Sequence, residues 1–212
     1  MNRRVLVLGT TVAAIAAFGG AAIFYSRGEA GGPATTGPSD AFVRPHSPVI
    51  GESDARVTVV EFFDPSCEAC RAFHPILKQI LARHPSDVKL VLRYAAFHQG
   101  SDEAVRILEA ARRQDRFEVV LQALYERQPE WAIHGAPNLE NAWRIAGAAG
   151  LDVDQARRDA RLPGVAQVLA VDMADVQALQ VTRTPTFFVN GRPLVSFGPQ
   201  QLYDLILSEL RP

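Results

Sequence analysis

The only two cysteines of the chain, Cys67 and Cys70, lie three positions apart at a predicted strand-to-helix turn. They follow a short, β-branched and aromatic run, Val57–Phe63, which predicts a buried strand, and they precede a helical pattern that reaches about Arg83. A thiol at the start of a helix is close to unpaired backbone N–H groups and to the positive end of the helix dipole, so its thiolate is favoured. Two such thiols on one helical turn can form a disulfide and reopen it, which favours a reversible redox pair.

Two other uses of the cysteines stay open at this point. Zinc usually takes four ligands, often as two pairs, and the chain has no second cysteine pair. His74 follows Cys70 by four residues on the same predicted helix, so a copper or zinc site built from it and the two cysteines remains an alternative. A lone structural disulfide is the other, although its loop is too short to stabilise the fold much. Covalent haem is excluded, because Arg71 stands where haem attachment requires histidine.

The first residues of the chain predict export. Arg3 and Arg4 precede a run without charge from Val5 to Ser26, which is just long enough to span a bilayer. Small residues near Gly20 also suit cleavage by a signal peptidase, and a twin-arginine signal is a further option. Residues 1–27 are therefore expected to be either a signal peptide or an N-terminal anchor in the inner membrane. Because cationic residues favour the cytoplasmic side, the rest of the chain is expected in the periplasm or another extracytoplasmic space.

Composition narrows the classes of function. The net charge is −1, and the charges of both signs are mixed along the chain, so nucleic acid is not an expected partner. Using both cysteines in one C-x-x-C motif suits an exported protein in an oxidising compartment. Residues 28–48 are rich in glycine and proline and predict a flexible linker, which would tether the domain to a membrane if the anchor is retained.

Beyond the linker, the pattern predicts a split α/β fold. A strand, a helix and a second strand ending near Phe97 predict a βαβ unit with parallel strands. Residues 99–180 then read as a block of amphipathic helices, the first of them capped by Ser101. Strand signals return before Asn190 and Gly191, the strongest short hairpin signal. The strand that pairs back contains Pro193, which predicts an edge strand, and a final helix begins at Pro199.

This order of elements resembles the thioredoxin superfamily and, within it, the DsbA-like exported thiol–disulfide oxidoreductases. The resemblance covers about residues 49–211. It is carried by three stretches that match the strand leading into the C-x-x-C motif, the cis-proline loop and the following hairpin: Glu61–Cys67, Thr184–Thr186 and Phe187–Gly191. The resemblance implies a thioredoxin-like domain formed by residues 49–98 and 181–212, with an inserted helical domain at residues 99–180.

The resemblance also implies roles for single residues. Cys67 would be the exposed nucleophile that forms a mixed disulfide with the substrate, and Cys70, buried one turn into the helix, would resolve it. Thr184 and a cis Pro185 would face the sulfur atoms, with the Thr184 backbone pairing with the substrate as a strand does. Glu61 would be a buried acid that moves a proton to or from Cys70. No metal or organic cofactor is implied.

Two charged positions leave questions open. Glu61 alternatively reaches the strand end or pairs with a cation such as Lys89. Glu68 stands between the cysteines, where strongly oxidising members of the family carry histidine. Its carboxylate opposes the Cys67 thiolate, with Arg71 a partial offset, so a less oxidising disulfide than theirs is expected.

The expected function is therefore an exported enzyme that forms or exchanges disulfides through Cys67 and Cys70. Its partners would be exported cysteine-containing proteins and a membrane-bound oxidase or reductase, and a monomer is expected. Whether it works as an oxidase, an isomerase or a reductase stays open. The alternatives are a non-enzymatic copper- or zinc-binding module, a holdase that uses the same motif, or a reductase dedicated to one client.

Overall fold

The computed structural model describes residues 41–211, so the predicted signal peptide or anchor and residues 28–40 of the predicted linker lie outside the described range. Five strands lie within this range: β1 (Val49–Ile50), β2 (Val57–Phe63), β3 (Val88–Tyr94), β4 (Thr186–Val189) and β5 (Arg192–Pro193). Eight helices accompany them: α1 (Glu68–Arg83), α2 (Ser101–Arg112), α3 (Phe117–Glu126), α4 (Gln128–Trp131), α5 (Leu139–Ala148), α6 (Val153–Asp159), α7 (Pro163–Ala178) and α8 (Pro199–Leu210). Between residues 41 and 211, no helix is long and apolar enough to cross a membrane.

The strands form one mixed sheet in the order β1-β3-β2-β4-β5. β2 runs parallel to β3 along its whole length, from Val57 opposite Val88 to Phe63 opposite Tyr94, and antiparallel to β4. Almost every side chain of β2 and β3 is buried, as expected for central strands covered on both faces. The predicted βαβ unit and the edge position of the strand that contains Pro193 are confirmed.

Alternate residues of β2 point to different faces of the sheet. Val57, Val59 and Phe63 pack into the larger core together with both cysteines, whereas Val60 and Phe62 pack into a smaller core on the other face. By this alternation, Glu61 belongs to the face that α1 covers. The strand therefore places one carboxylate in the layer that holds the two thiols.

Six helices, α2 to α7, lie between β3 and β4 in the chain, and α2 packs against α3, α5, α6 and α7. Their apolar faces join the same core as the sheet and α1, with Trp131 among the fully buried side chains. The predicted split α/β fold with a helical insertion is confirmed. α4 and the short β1 were not predicted, because neither is long enough to show a periodic pattern.

Two local predictions at the end of β3 are wrong, and one residue explains both. β3 ends at Tyr94 and does not reach Phe97, because the backbone N–H groups of Phe97 and His98 donate to the carboxylate of Asp64. Ser101 does not cap α2: Gly100 is the N-cap residue, and the Ser101 hydroxyl donates to Asp64 instead. The turn after β3 is thus built around a buried carboxylate.

A buried ionic cluster holds residues 41–48 against the domain. The fully buried Arg93 of β3 donates to Asp172 and Asp175 of α7 at 2.8 and 2.6 Å. Arg44 donates to Asp175 at 2.6 and 2.8 Å, and His46 lies 2.7 Å from Asp172. Buried guanidinium and carboxylate groups need such partners, because an unpaired buried charge is costly. The last part of the predicted linker is therefore fixed to the face opposite α1.

Candidate active site

Cys67 is the N-cap residue of α1, with extended backbone geometry, and Glu68 is the first helical residue. The Cys67 N–H donates to the Asp64 carbonyl at 3.0 Å, and its own carbonyl accepts from Arg71 at 3.1 Å. The chain therefore turns directly from β2 into α1, which confirms the predicted strand-to-helix position of the motif. The free N–H groups of the first helical turn surround the sulfur of Cys67 with partial positive charge.

Both cysteines are thiols in this structure, and Cys67 is the more accessible one. Only 6% of Cys67 is exposed, so this residue is less exposed than the resemblance implied. Cys70 is completely buried, as expected. The Cys67 sulfur lies 3.4 Å from the carbonyl oxygen of Thr184, to which its S–H donates when the thiol is protonated. A substrate must therefore approach this sulfur along the Thr184 backbone.

The two thiols differ strongly in acidity. A hydrogen bond from the Cys70 thiol is the largest cause that lowers the pKa of Cys67. Together with bonds from the Thr184 side chain and two helix N–H groups, it brings the pKa of Cys67 to about 5, although burial opposes this. Burial first, and then the hydrogen bond to Cys67 and the charge of Glu61, raise the pKa of Cys70 far above its usual value. The pair therefore holds one thiolate and one thiol at neutral pH.

The peptide bond between Thr184 and Pro185 is cis, as the resemblance implied. Thr186 directly after it begins β4, which pairs with β2 next to the C-x-x-C motif. The loop before β4 and the turn after β2 thus lie side by side at one edge of the sheet. This pairing brings Thr184 to Cys67 although 117 positions separate them in the chain.

Glu61 is buried beneath the cysteines, with 3% of its surface exposed. Its Oε1 atom has no hydrogen-bond partner among the described residues. Burial, with a smaller contribution from the Cys67 charge, raises the pKa of Glu61 to about 8. Lys89, the cation considered for it, donates instead to the carbonyl of Ser53. The structure therefore supports the buried acid and not the ion pair.

Glu68 points away from the core and is paired with a histidine of the helical insertion. Its carboxylate lies 2.7 Å from Nε2 of His134, in the loop between α4 and α5. Its own backbone N–H, and after it the bond from His134, lower the pKa of Glu68. The bond from this imidazole was not predicted, and it acts on the carboxylate that was expected to oppose the Cys67 thiolate.

Two residues that shape the site were not predicted. Asp64 is fully buried and accepts bonds from the Ser66 N–H at 2.8 Å and from the Ser101 hydroxyl at 2.5 Å. Gln128 of α4 donates to the carbonyls of Pro65 and Cys67 at 2.9 and 3.1 Å. A carboxylate at the end of a buried strand was a usable signal for Asp64, whereas nothing in the local pattern marks Gln128.

A copper or zinc site of the alternative kind would require His74 to lie close to both cysteines. His74 packs its ring on Tyr125, with 5.2 Å between ring centroids, and lines a groove of about 590 Å³ between α1 and α3. Within residues 41–211, no three or more His, Cys, Asp and Glu side chains are grouped as a metal ion requires. The described part of the chain therefore does not gather His74 with the two cysteines.

The acidity of Cys67 gives a direct prediction for the reduced protein. Because the thiolate is the nucleophile, alkylation of Cys67 should rise with pH through a midpoint at about 5 and be level above neutrality. Cys70 should stay unmodified in the folded protein, since it is fully buried and its pKa is raised. Rates of iodoacetamide labelling between acid and alkaline pH measure both. A midpoint near the usual thiol value of 9.0 would contradict the stabilised thiolate.

The chain is similar in sequence and in structure to several known proteins. The family model described as "Thioredoxin" matches residues 44–206. A solved structure of a thioredoxin-like oxidoreductase from Silicibacter pomeroyi DSS-3 is 34% identical, covers 81% of this chain and 96% of that chain, and has a TM-score of 0.70.

Two curated relatives differ in how much of their length the chain spans. Disulfide bond formation protein D of Bacillus subtilis (strain 168) is 26% identical over 181 residues, which make up 77% of each protein. Na(+)/H(+) antiporter NhaA 1 of Mycolicibacterium gilvum (strain PYR-GCK) is 31% identical over 151 residues, which are 68% of this chain. The chain spans only 23% of the length of that antiporter.

Proposed function

Because this chain belongs to the thioredoxin family and has the DsbA-like form of its fold, we propose that it catalyses disulfide formation in exported proteins. The observation that carries the proposal is the unequal pair of thiols at the start of α1. Cys67 has a pKa of about 5 and lies beside Thr184 with 6% of its surface exposed, whereas Cys70 is fully buried with a raised pKa. One sulfur is thereby suited to substrate contact and the other to internal resolution.

In the oxidising direction, a substrate thiolate attacks Cys67 in the Cys67–Cys70 disulfide. The S–S bond breaks, Cys70 leaves as a thiolate, and Glu61 gives it a proton. A second substrate thiolate then attacks the substrate sulfur of the mixed disulfide, and Cys67 leaves as a stable thiolate. The substrate loses two electrons and two protons: the electrons stay in the reduced pair, one proton goes to Cys70 through Glu61, and the other goes to solvent.

Thr184 and Pro185 form the backbone surface to which the substrate would bind. The Thr184 carbonyl, 3.4 Å from the Cys67 sulfur, is a backbone acceptor placed for an extended substrate chain, and Pro185 shapes the loop that presents it. Pairing of this kind is β-strand addition, in which main-chain bonds hold the substrate and its sequence matters little. The arrangement suits an enzyme that accepts many different clients.

The direction of electron flow follows from the leaving groups. A stabilised Cys67 thiolate favours the reduced pair, which makes the disulfide a better oxidant. The similarity to a disulfide bond formation protein supports the same direction. The expectation of a weaker oxidant depends on the negative charge of Glu68 beside Cys67. The bond between Glu68 and His134 reduces the expected effect of that charge. Turnover then needs a membrane-bound oxidase to accept the two electrons, and the predicted export signal would place the enzyme outside the cytoplasm.

Trapping with a Cys70→Ser variant tests this proposal. In this variant the Cys67 thiolate can still attack a disulfide of an exported protein, which breaks the substrate S–S bond and releases one substrate thiolate. Without Cys70 to displace the bound substrate, these mixed disulfides should persist until a reductant is added. The measurement is non-reducing electrophoresis of the full chain expressed with its leader, followed by identification of the partners. Many clients would support an enzyme of broad use, a single client would support one dedicated to that client, and no adducts at all would contradict thiol–disulfide exchange.

A further inference from the structure

Two histidines of different segments lie close together and are bonded to acids on either side of Cys67 in the chain. His98 follows β3 and His134 lies between α4 and α5, and their ring centroids are 6.0 Å apart. Each ring is held by an acid: Nδ1 of His98 lies 2.7 Å from Asp64, and Nε2 of His134 lies 2.7 Å from Glu68. We call these four residues the imidazole cluster. Asp64 precedes the first cysteine and Glu68 follows it, so the cluster spans Cys67.

We propose that the imidazolium of His98, fixed by Asp64, stabilises the thiolate of Cys67, while His134 neutralises the charge of Glu68 beside it. The inference rests on the proposed function, since it names the residues that set the acidity and the potential of the same pair of thiols. Neither histidine lies next to the cysteines in the chain, and both come from the segment between β3 and β4. The segment between β3 and β4 would thus tune the chemistry of the C-x-x-C motif.

The geometry fixes how His98 carries its charge. Asp64 Oδ2 accepts from the backbone N–H of Phe97 at 2.7 Å and of His98 at 2.9 Å, so the loop that carries the ring is held in place. Nδ1 needs a proton to donate to the same oxygen, which leaves Nε2 as the atom that gains or loses a proton. His98 is therefore a cation at a defined place whenever Nε2 is protonated.

The electrostatics agree with this geometry. Burial alone lowers the pKa of His98, but the bond and the charge of Asp64 raise it overall, with further contributions from the charges of Cys67 and Glu68. Such an interaction is mutual: if the thiolate favours the imidazolium, the imidazolium favours the thiolate by the same free energy.

The charged groups around Cys67 come from several segments. The charges of Glu61 of β2 and His98 after β3 interact with that of Cys67, whereas Asp64, Glu68 and Arg71 are its near neighbours in the chain and His134 after α4 is bonded to Glu68. Three of these six are carboxylates. A thiolate at this position needs compensating positive charge, since like charges nearby raise a thiol pKa. The imidazolium of His98 supplies such charge, since the charge of Cys67 is among the causes that raise the pKa of His98.

The contribution of His98 exists only in the reduced protein, because the disulfide carries no charge. His98→Gln should therefore raise the pKa of Cys67 by about one unit. It should also make the reduced pair about tenfold less favourable, which for a two-electron couple is about 30 mV towards a weaker oxidant. His134→Gln should act in the same direction, and Glu68→Gln in the opposite one.

The experiment uses the full chain in its reduced form and follows alkylation of Cys67 against pH in each variant. His84→Gln is the matched control, because His84 bonds to Tyr203 at the far end of α1 and should leave the Cys67 pKa unchanged. In a Glu68→Gln background, His134→Gln should have little further effect, since its partner charge is gone. An unchanged Cys67 pKa in folded His98→Gln protein would overturn the proposal.

A second measurement needs no variant. NMR titration of the wild-type protein should give a higher pKa for His98 in the reduced form than in the disulfide form, and equal values would also overturn the proposal. Both readouts are independent of any substrate. If the wild-type chain did not catalyse exchange, the proposed function would be contradicted. These titrations would still decide the role of His98.

Discussion

Replacing Cys67 with serine should reduce thiol–disulfide exchange by this protein to the uncatalysed rate, even though Cys70 remains. Cys70 cannot take over, because it is fully buried and its raised pKa keeps it protonated. The thiolate is the attacking species, so a buried thiol with a high pKa is a poor nucleophile as well as an inaccessible one. Serine differs from cysteine by one atom, so the turn after β2 should keep its form.

Catalysed reduction of insulin and oxidative refolding of a reduced substrate measure this loss in the two directions. The matched control is Cys70→Ser, which should also lose turnover but should still form mixed disulfides, since Cys67 keeps its access to solvent. Circular dichroism checks that both variants fold. Exchange by the Cys67→Ser protein above the rate without enzyme would exclude Cys67 as the nucleophile.

Replacing Glu61 with glutamine should stabilise the protein at alkaline pH and slow exchange. Glu61 has a pKa of about 8 in the folded protein against the usual 4.5, so the folded state binds more protons than the unfolded state between these values. The free energy of unfolding of the wild type therefore falls as pH rises through this window. The loss is about 5 kcal/mol above pH 8, because a difference of one in pKa corresponds to about 1.4 kcal/mol.

Glutamine is neutral at every pH, so the variant and the wild type should have similar stability near pH 4 and should diverge as pH rises. Urea unfolding in the disulfide form isolates this effect, because neither thiol titrates there and burial remains the main cause of the raised pKa. Glu52→Gln, at an exposed position, is the control and should show no such divergence. Parallel pH profiles for wild type and Glu61→Gln would contradict the buried acid. Slower formation of the mixed disulfide is the expected kinetic effect, since the leaving Cys70 thiolate loses its proton donor.

Much of the fold could be predicted from local patterns. The limits of β2 were correct because a short run of β-branched and aromatic residues can be buried on both faces only as a central strand. The edge strand and its hairpin followed from Pro193 and Asn190. The end of β3 was predicted wrongly, because hydrophobic periodicity continues past Tyr94 while Asp64 takes the N–H groups that a longer strand would need.

Part of the candidate site could likewise be predicted from neighbouring residues in the chain, and part could not. The place of Cys67 at the start of α1, and with it a stabilised thiolate, was available from the C-x-x-C spacing between a strand and a helix, since both depend on neighbours in the chain. The burial of Glu61 could not be separated from an ion pair until the position of Lys89 was known. The partner of Glu68 could not be predicted from local patterns either, because His134 is 66 positions away in the chain.

By itself, then, the sequence determined the elements and the reactive pair, because helix starts, strand alternation and turns depend on residues a few positions apart. Only the tertiary structure decided the charges around that pair. Asp64 holds His98, Glu68 holds His134 and Thr184 faces Cys67 because packing of the helical insertion and pairing of β4 bring these segments together. The acidity of a thiol depends on every charge and dipole within several ångströms, and most of these belong to residues distant in the chain.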